Sequence, residues 1–535
     1  MKVPHSSRIT FALLLITLSS ASGGKILVYP LDGSHWVNMK ILIEELHLKG
    51  HDITVVRVSD SWYIEEMSPF YTSVAIPGTG GLKDFFEMLV TQQLEMKIHS
   101  AQQGTPFWSR IWSRIHMESE ILGQFSQFHR RMSEVIVEMF EDENLMQSFH
   151  DAKYDLVLTD PGIAGGTMLA HRLQLPLVFN VRWTIQGEAH FVIAPSPLSY
   201  IPFTATELTD KMTFPQRIRN VISYIFGTYA GAYITEPHYR PIVRHYFGPE
   251  VDYAAFFQEA DIWLMRNDFI FEFPRPTMPN VVYMGGFQCK PSKPLPKDLE
   301  EFVQSSGEHG IIVMTLGTLV GKLPQDITEE IAAAFAQLPH KVLWRHTGQR
   351  PTNLGNNTLL VNWLPQNDLL GHPKTRVFVA HGGTNGVQEA IYHGVPIVGL
   401  PLVFDQPDNL SRIQAKGGAK IVDIAVLNRD IFADALKEVI YNSSYRENMQ
   451  RLSRLHRDQP IKPLDQAMFW IEYVIRHKGA PHLRTQSNKM SWFVYHSFDV
   501  IATLLAVVLL MTLTCILIVR FLWRKIFSGK KVKNE

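Results

Sequence analysis

The side chains best suited to chemistry lie close together between residues 362 and 409. His381 ends an apolar strand pattern, and the Gly-Gly pair that follows permits a tight turn and close backbone approach. Thr384 or Asn385 then caps a helix whose free N–H groups and positive dipole end attract anions. The pattern predicts a phosphate group bound at the start of this helix.

Groups that can bind hydroxyls flank the same helix. Glu389 lies four residues after Asn385 and therefore shares its helical face. Asp405 and Gln406 follow the next strand pattern, at the end where open α/β sheets bind ligands. We therefore expect a phosphate-bearing ligand that also carries hydroxyl groups.

Two residues in the first half of the chain, His35 and Asp160, suit proton transfer. Each follows a predicted strand by a few residues, at the end of a parallel sheet that faces a cleft. A histidine with a pKa near about 6.5 can take a proton from a hydroxyl at neutral pH. A buried aspartate would fix its tautomer. From the residues alone, a structural role for His35 is the simpler interpretation.

Two series of alternating strand and helix patterns must position these residues. The first has strands at 25–31, 52–58, 154–159 and 177–180 and a helix at 38–49, with a mostly helical region at 82–149. The second has strands at 310–316, 341–344, 359–362, 376–381 and 396–400 and a helix at 326–338. Each series predicts a parallel, doubly wound α/β sheet.

The predicted organisation places one α/β domain at 24–288 and a second at 295–455. A segment rich in proline and lysine separates them, and a helical segment at 456–490 follows. Two such domains also suit a nicotinamide or flavin enzyme. The turn after the first strand, residues 32–35, is Asp-Gly-Ser-His and not GxGxxG, which disfavours that reading.

Both ends of the chain predict membrane targeting. Residues 1–22 combine basic residues, a ten-residue apolar run and small residues, as a secretory signal peptide does. Residues 500–519 carry no charge and would span roughly 30 Å as a helix. The basic tail at 520–535 predicts a single-pass type I protein with a lumenal body. Lys531 and Lys533 resemble a dilysine retrieval signal of the endoplasmic reticulum.

Composition narrows the class further. The 535 residues include 51 Lys plus Arg and 51 Asp plus Glu, and this neutral balance argues against a nucleic-acid partner. Only two cysteines occur, so a disulfide framework and a four-cysteine zinc site are excluded. Of three glycosylation sequons, at Asn356, Asn409 and Asn442, we favour the first and the last.

The stretch at 362–409, NWLPQNDLLGHPKTRVFVAHGGTNGVQEAIYHGVPIVGLPLVFDQPDN, resembles the signature of the UDP-glycosyltransferase family in its vertebrate UDP-glucuronosyltransferase form. The likeness extends from DGSHW near the start, through YDLVLTDP, to the C-terminal anchor. It implies the GT-B fold, in which two Rossmann-like domains face each other across the active-site cleft. The donor site implied by the resemblance comprises Thr318, Arg345, Trp363, Gln366, His381, Gly383, Thr384, Asn385, Glu389, Asp405 and Gln406.

By the same resemblance, Trp363 stacks on uracil, Gln366 contacts the nucleoside and Glu389 binds the ribose hydroxyls. His381, Thr384 and Asn385 hold the pyrophosphate, and Asp405 and Gln406 bind the sugar. Arg345 matches the family's arginine, and Thr318 replaces a serine that many members have.

The resemblance also implies that His35 is the base and that Asp160 orients it. A single in-line displacement would then invert an α-linked donor to a β-glycoside. UDP-glucuronic acid is then a co-substrate and no cofactor is implied. No Asp-x-Asp motif occurs, so a metal-clamped diphosphate is not indicated.

Three readings stay open. The first is glucuronic acid transfer to small lipophilic phenols, alcohols, steroids or xenobiotics. The second is transfer from UDP-glucose or another UDP-hexose to lipids or steroids. The third is a non-catalytic lumenal binding or regulatory subunit. The family suggests homo- or hetero-oligomers. The segments at 108–115 and 217–233 mix bulky apolar and basic residues, which fits either ordinary packing or contact with the membrane surface.

Overall fold

The computed structural model describes residues 23–78, 82–102, 107–185, 187–317 and 323–528. The predicted signal peptide, Thr318 and the tail lysines 531 and 533 lie outside these ranges. Residues up to Leu483 form one compact unit, and residues from Arg484 onward form a second.

The N-terminal part of the first unit is built on a seven-stranded sheet in the order β3-β2-β1-β4-β5-β6-β7. All neighbouring strands are parallel. The strands are β1 Lys25–Tyr29, β2 Asp52–Val58, β3 Thr72–Ile76, β4 Leu156–Thr159, β5 Leu177–Val181, β6 Ile262–Met265 and β7 Val281–Tyr283. Apolar side chains cover both faces of this sheet, which is why its central strands are almost wholly buried.

Eight helices accompany this sheet within the described residues. They are α1 Ser34–Leu48, α2 Leu82–Gln102, α3 Phe107–Glu141, α4 Glu143–Ala152, α5 Gly165–Leu173, α6 Ala189–Ile193, α7 Phe214–Tyr246 and α8 Tyr253–Gln258.

A second parallel sheet has six strands in the order β10-β9-β8-β11-β12-β13. Its strands are β8 Ile311–Thr315, β9 Lys341–Arg345, β10 Thr358–Val361, β11 Thr375–Ala380, β12 Ile397–Gly399 and β13 Ala419–Ile421. The helices are α9 Lys297–Gln304, α10 Gln325–Ala336, α11 Gln366–Leu370, α12 Thr384–His393, α13 Gln406–Ala415, α14 Arg429–Tyr441 and α15 Ser443–Arg457. Two Rossmann-like folds are therefore present, which confirms the predicted fold class.

The chain returns to the first sheet after the second is complete. Helix α16, Pro463–His477, buries Met468 and Ile471 in the same apolar cluster as Ile26 and Met39. The predicted domain limit at 455 lies inside α15. A linear reading of the sequence could not show that residues after the second sheet pack on the first.

Four short strands and one long helix were not predicted. These strands are β3, β6, β7 and β13, with three to five residues each. Helix α7, which contains the 217–233 segment, was not predicted as a helix, yet it runs for 33 residues.

Helix α1 begins at Ser34, and the prediction of a start at residue 38 was wrong by four residues. Gly33 adopts a positive φ of 75°, which favours glycine and lets the chain turn directly from β1 into the helix. The carboxylate of Asp32 accepts N–H bonds from Gly33, Trp62 and Tyr63 and so fixes the turn. His35 therefore lies in the first helical turn.

The second unit contains a short helix α17, Trp492–Tyr495, and a long helix α18, Phe498–Ser528. Within Phe498–Phe527, an 18-residue window has a mean hydropathy of 2.8 and none of that window is buried. Among the described helices it alone is long and apolar enough to fit a membrane span, and the span predicted at 500–519 lies within it.

Candidate active site

The sheet topology brings His35 and Asp160 together. Strands β1 and β4 are parallel neighbours with Tyr29 opposite Thr159, so the residues that follow them meet at the same sheet edge. The Nδ1 atom of His35 lies 2.6 Å from Oδ2 of Asp160. Asp160 is fully buried, whereas the His35 side chain keeps 21% of its surface exposed. Asp160 is thus shielded from solvent, whereas His35 faces the cleft.

Both oxygens of Asp160 are held in place. Oδ2 faces His35, and Oδ1 accepts the backbone N–H of Gly162 at 2.9 Å. A carboxylate beside Nδ1 favours the tautomer with its proton on that atom. This leaves the lone pair on Nε2 of His35, the ring nitrogen available to take a proton from a substrate.

Arg266, directly after β6, lies behind this pair and was not predicted. Its Nη2 is 3.4 Å from Nδ1 of His35. Burial lowers the pKa of Arg266 to about 10, and the neighbouring charges of Asp160 and Asp405 oppose that shift. Arg266 stays protonated at neutral pH and connects the His35–Asp160 pair with Asp405 electrostatically.

The predicted phosphate-binding helix is α12, which begins at Thr384 after a turn through Gly382 and Gly383. The ring of His381 lies close to two glycines. A β-carbon would come within 2.7 Å of the ring if added to Gly317 and within 2.5 Å if added to Gly383. Burial lowers the pKa of His381 to about 4, so the ring is neutral at pH 7 and acts through hydrogen bonds, not charge.

The predicted nucleoside-binding residues adjoin the same helix. The Nε2 atom of Gln366 donates to Oε2 of Glu389 at 2.6 Å. Burial raises the pKa of Glu389 to about 7, and the Gln366 bond opposes that shift. Trp363 has 70% of its surface exposed although it is a large aromatic. An exposed flat ring near a buried, hydrogen-bonded carboxyl is suited to binding a base and its ribose.

Asp405 is the centre of a polar network that crosses the cleft. Its Oδ2 accepts from Nε and Nη2 of Arg182, a residue that directly follows β5. It also accepts from Asn409 at 2.7 Å and from the Thr384 hydroxyl at 3.3 Å. Burial alone would raise the pKa of Asp405, but the charge and hydrogen bonds of Arg182 outweigh it and hold the pKa below its usual range.

Gln406 and Arg345 mainly support the loops around the site. The Oε1 atom of Gln406 accepts backbone N–H bonds from Leu402 and Val403, which leaves only its Nε2 to meet a ligand. Phe404, in the loop between Val403 and Gln406, adopts a left-handed φ of 58°. This conformation is unfavourable for a bulky residue and recurs at functional sites. Arg345 donates to the carbonyls of Asn362 and Gly317 and ties two loops together.

A second contact joins the two parts of the site. Asn38, one helical turn after His35, donates to Oδ1 of Asn385 at 2.8 Å. Sequence reasoning missed Asn38, Arg182, Arg266 and Asn409 as site residues. Their available signals were weak: Arg182 and Arg266 each follow an apolar strand, and Asn38 is three residues from His35.

Two cavities lie among the described residues of the N-terminal part. A small one, about 30 Å³, is lined by Leu31, Trp62, Phe86, Phe128 and other mostly apolar side chains, and it adjoins Asp32 just before α1. A larger one of about 590 Å³ lies between α6, α7 and α8 and shares no residue with the predicted site. The small cavity lies beside the turn that precedes His35, and an acceptor entering there would have to displace the aromatic side chains that line it.

These features define a glycosyltransferase of the GT-B class, and similarity to solved structures agrees. The calicheamicin glycosyltransferase CalG4 superposes with a TM-score of 0.56 at 16% identity, over 84% of this chain and 99% of that one. The glycosyltransferase VinC in complex with dTDP gives 0.54 at 18% identity, over 85% and 100%. At these identities the likeness shows the fold alone.

Sequence similarity identifies the family. Residues 24–533 match the family described as "UDP-glucoronosyl and UDP-glucosyl transferase", and the chain belongs to it. Mouse UDP-glucuronosyltransferase 2A1 is 42% identical over 98% of both chains. Human UDP-glucuronosyltransferase 2B15 is 40% identical over 98% of this chain and 99% of its own. The family predicted from the sequence is thereby confirmed.

Proposed function

We propose that this enzyme transfers glucuronic acid from UDP-glucuronic acid to a hydroxyl group of small lipophilic acceptors and inverts the anomeric carbon. The observation that carries the proposal is the 2.6 Å contact between His35 and buried Asp160, at the sheet edge that faces Asp405. The full-length relatives named UDP-glucuronosyltransferases support the choice of donor.

In the proposed reaction, Nε2 of His35 removes the proton from the acceptor hydroxyl. The oxygen attacks the anomeric carbon from the face opposite UDP, the bond from that carbon to the diphosphate oxygen breaks, and UDP leaves. The proton stays on His35 as an imidazolium, which Asp160 stabilises, until it passes to solvent. One displacement on an α-linked donor gives a β-glucuronide.

The donor would lie along α12. Trp363 stacks on uracil, while Gln366 and Glu389 bind the nucleoside. The N–H groups at the start of α12, the Thr384 hydroxyl and the Asn385 amide hold the diphosphate. His381 contributes a hydrogen bond, Gly383 gives the backbone room to approach, and Asp405 with Nε2 of Gln406 binds the sugar hydroxyls.

The charges around Asp405 are balanced within the site. Arg182 and Arg266 both interact with Asp405, and Arg266 also interacts with Asp160, so two guanidinium groups lie beside two aspartates. The choice of an acidic sugar therefore rests on the full-length relatives named UDP-glucuronosyltransferases. A UDP-hexose transferase remains the second candidate because its hydroxyl contacts would be the same.

The cavity lining and the two terminal segments support an acceptor class and a cellular location. The aromatic lining of the small cavity suits a lipophilic acceptor. The span in α18 and the predicted signal peptide support a type I protein of the endoplasmic reticulum with its body in the lumen. Asn356 and Asn442 are exposed, whereas buried Asn409 donates to the carbonyl of Gly382, so glycosylation is proposed at the first two only.

The test uses detergent-opened microsomes from cells that express the full chain. A panel of phenols, alcohols and steroids is offered with UDP-glucuronic acid or UDP-glucose, and products are identified by mass spectrometry. We expect glucuronides and at most traces of hexosides. Hexosides as the main product would overturn the donor assignment, and no product with either donor despite UDP binding would favour the non-catalytic binding protein.

A further inference from the structure

The first part of helix α7, residues 214–233, turns its hydrophobic face away from the protein. Between residues 214 and 233, the residues turned toward the protein are mostly small or polar, among them Asn220, Ser223, Gly227 and Gly231, and the one large aromatic on this side is Tyr224. The large apolar residues point outward and are exposed: Phe214, Ile218, Val221, Ile222, Ile225, Phe226, Tyr229 and Tyr233. Tyr229 and Phe214 keep 73% and 67% of their surfaces in contact with solvent.

The outward residues form one continuous face. At 3.6 residues per turn, the eight side chains fall within an arc of about 140°. Asn220 lies nearly opposite the middle of this arc. Arg217 and Arg219, both exposed, lie at its two edges. An apolar face of this width, bounded by basic residues, is the pattern of a helix that lies in a membrane interface.

Both aromatic packing and hydrogen bonds attach this part of α7 to the protein, since Tyr224 packs against Phe191 and Phe203. Asn220 is fully buried, accepts the N–H of Phe203 and donates to the carbonyls of Leu198 and Ile201. These three bonds fix the rotation of the helix about its axis. The outward direction of the apolar face is therefore determined by the fold.

The rest of the chain indicates what covers this face. Only residues 484–497 connect the first unit to α18, and fourteen residues reach at most about 50 Å even when fully extended. A connection of this length limits how far the first unit can move from the bilayer that α18 would span. Tyr and Phe together with Arg are also the side chains that lipid headgroup regions favour.

We propose that the 214–233 face of α7 lies in the headgroup region of the membrane that carries α18. The bilayer would then hold the body at two places, a spanning helix and a helix lying flat. This orientation would bring the body close to lipophilic compounds dissolved in the leaflet.

The experiment places a fluorescent reporter on this face in the full-length protein. Ile222→Cys is made in a background where both native cysteines, Cys289 and Cys515, are replaced, and it is labelled with an environment-sensitive dye. The protein is reconstituted into phosphatidylcholine vesicles with or without nitroxide-labelled phosphatidylcholine. Leu455→Cys on α15, also an exposed apolar residue at 48%, is the matched control.

We expect the lipid nitroxide to quench the label at Ile222 several-fold more than the label at Leu455, and aqueous iodide to show the reverse order. Strong iodide quenching at Ile222 would overturn the proposal. Shielding from both quenchers, with energy transfer between labels that grows with protein density, would also overturn it and assign the face to a second copy of the chain. The readout needs no turnover, so it is independent of the proposed reaction; UDP binding by each labelled protein checks its fold.

Discussion

The acceptor side and the donor side of the cleft are stabilised in different ways. His35 is oriented by Asp160, and Asp160 by Gly162, all within the N-terminal sheet and its loops. Asp405 belongs to the second sheet, yet its strongest partner, Arg182, comes from the first. The base is thus preassembled within one domain, whereas the sugar-binding end of the donor site is complete only when the two domains meet.

Because of this difference, donor binding and catalytic turnover should depend on different residues. Changes at His35 or Asp160 should affect turnover and leave donor affinity nearly intact. Changes at Arg182 should act on donor affinity through Asp405. The following predictions test that separation, from the largest expected effect to the smallest.

Replacing His35 by Ala should lower kcat by roughly 10³- to 10⁴-fold, because the acceptor hydroxyl loses its base. Glucuronide formation is measured by mass spectrometry and UDP binding by calorimetry. His150→Ala, an exposed histidine on α4, is the control and should keep full activity. Loss of UDP affinity in parallel with activity would contradict the role assigned to His35.

Asp160→Asn should lower kcat by roughly 10²-fold or more. The amide oxygen can still accept the N–H of Gly162, but the charge that stabilises the imidazolium is gone. The pH dependence of kcat is the decisive readout, since a merely structural loss would reduce activity equally at all pH values. We expect the acidic limb of the profile, which reports the His35 proton, to shift; an unchanged profile with lower protein stability would refute the assignment.

Arg182→Lys should raise the KM for UDP-glucuronic acid by roughly ten- to a hundred-fold, the cost of weakening a charged hydrogen-bond pair. Inhibition by UDP, which lacks the sugar, should change little. Arg172→Lys, on α5 and away from Asp405, provides the matched control. An equal loss for UDP and the full donor would show that Arg182 supports the fold and not the sugar.

The raised pKa of Glu389 predicts a pH effect on donor binding. If the ribose needs the carboxylate form, affinity should increase as pH rises through about 7, and at pH 6 it should be about tenfold weaker than at pH 8. Glu389→Gln should abolish this dependence, as measured by calorimetry. In the free protein the sign is opposite: the free energy of unfolding contributed by this group falls as pH rises from 4.5 to about 7.

The two sides of the cleft also differed in how far the sequence could predict them. The residues around α12 lie in one contiguous stretch, so strand, turn and helix signals located them together. His35 and Asp160 are 125 positions apart, and only the rule that parallel strands end at one edge placed both near a cleft. The family resemblance supplied their roles.

Residues that act across the cleft escaped prediction for a physical reason. Arg182 and Asn38 form hydrogen bonds with residues more than 220 positions away in the sequence. No local sequence pattern indicates such a pair. The same holds for α16, which packs on the first sheet although it follows the second. Helix α7 escaped because the two parts of it bury different faces: the large apolar residues of 214–233 point outward, whereas Tyr239, Ile242 and Val243 near its end are buried.

The most direct test of the account compares donor binding and turnover in three forms of the protein. Affinity for UDP-glucuronic acid is measured by calorimetry on wild type, His35→Ala and Arg182→Lys, and glucuronide formation is followed on the same samples. The account predicts that His35→Ala binds the donor as wild type does and forms almost no product, while Arg182→Lys binds weakly and still forms product at saturating donor. Weak binding by His35→Ala together with normal binding by Arg182→Lys would contradict it.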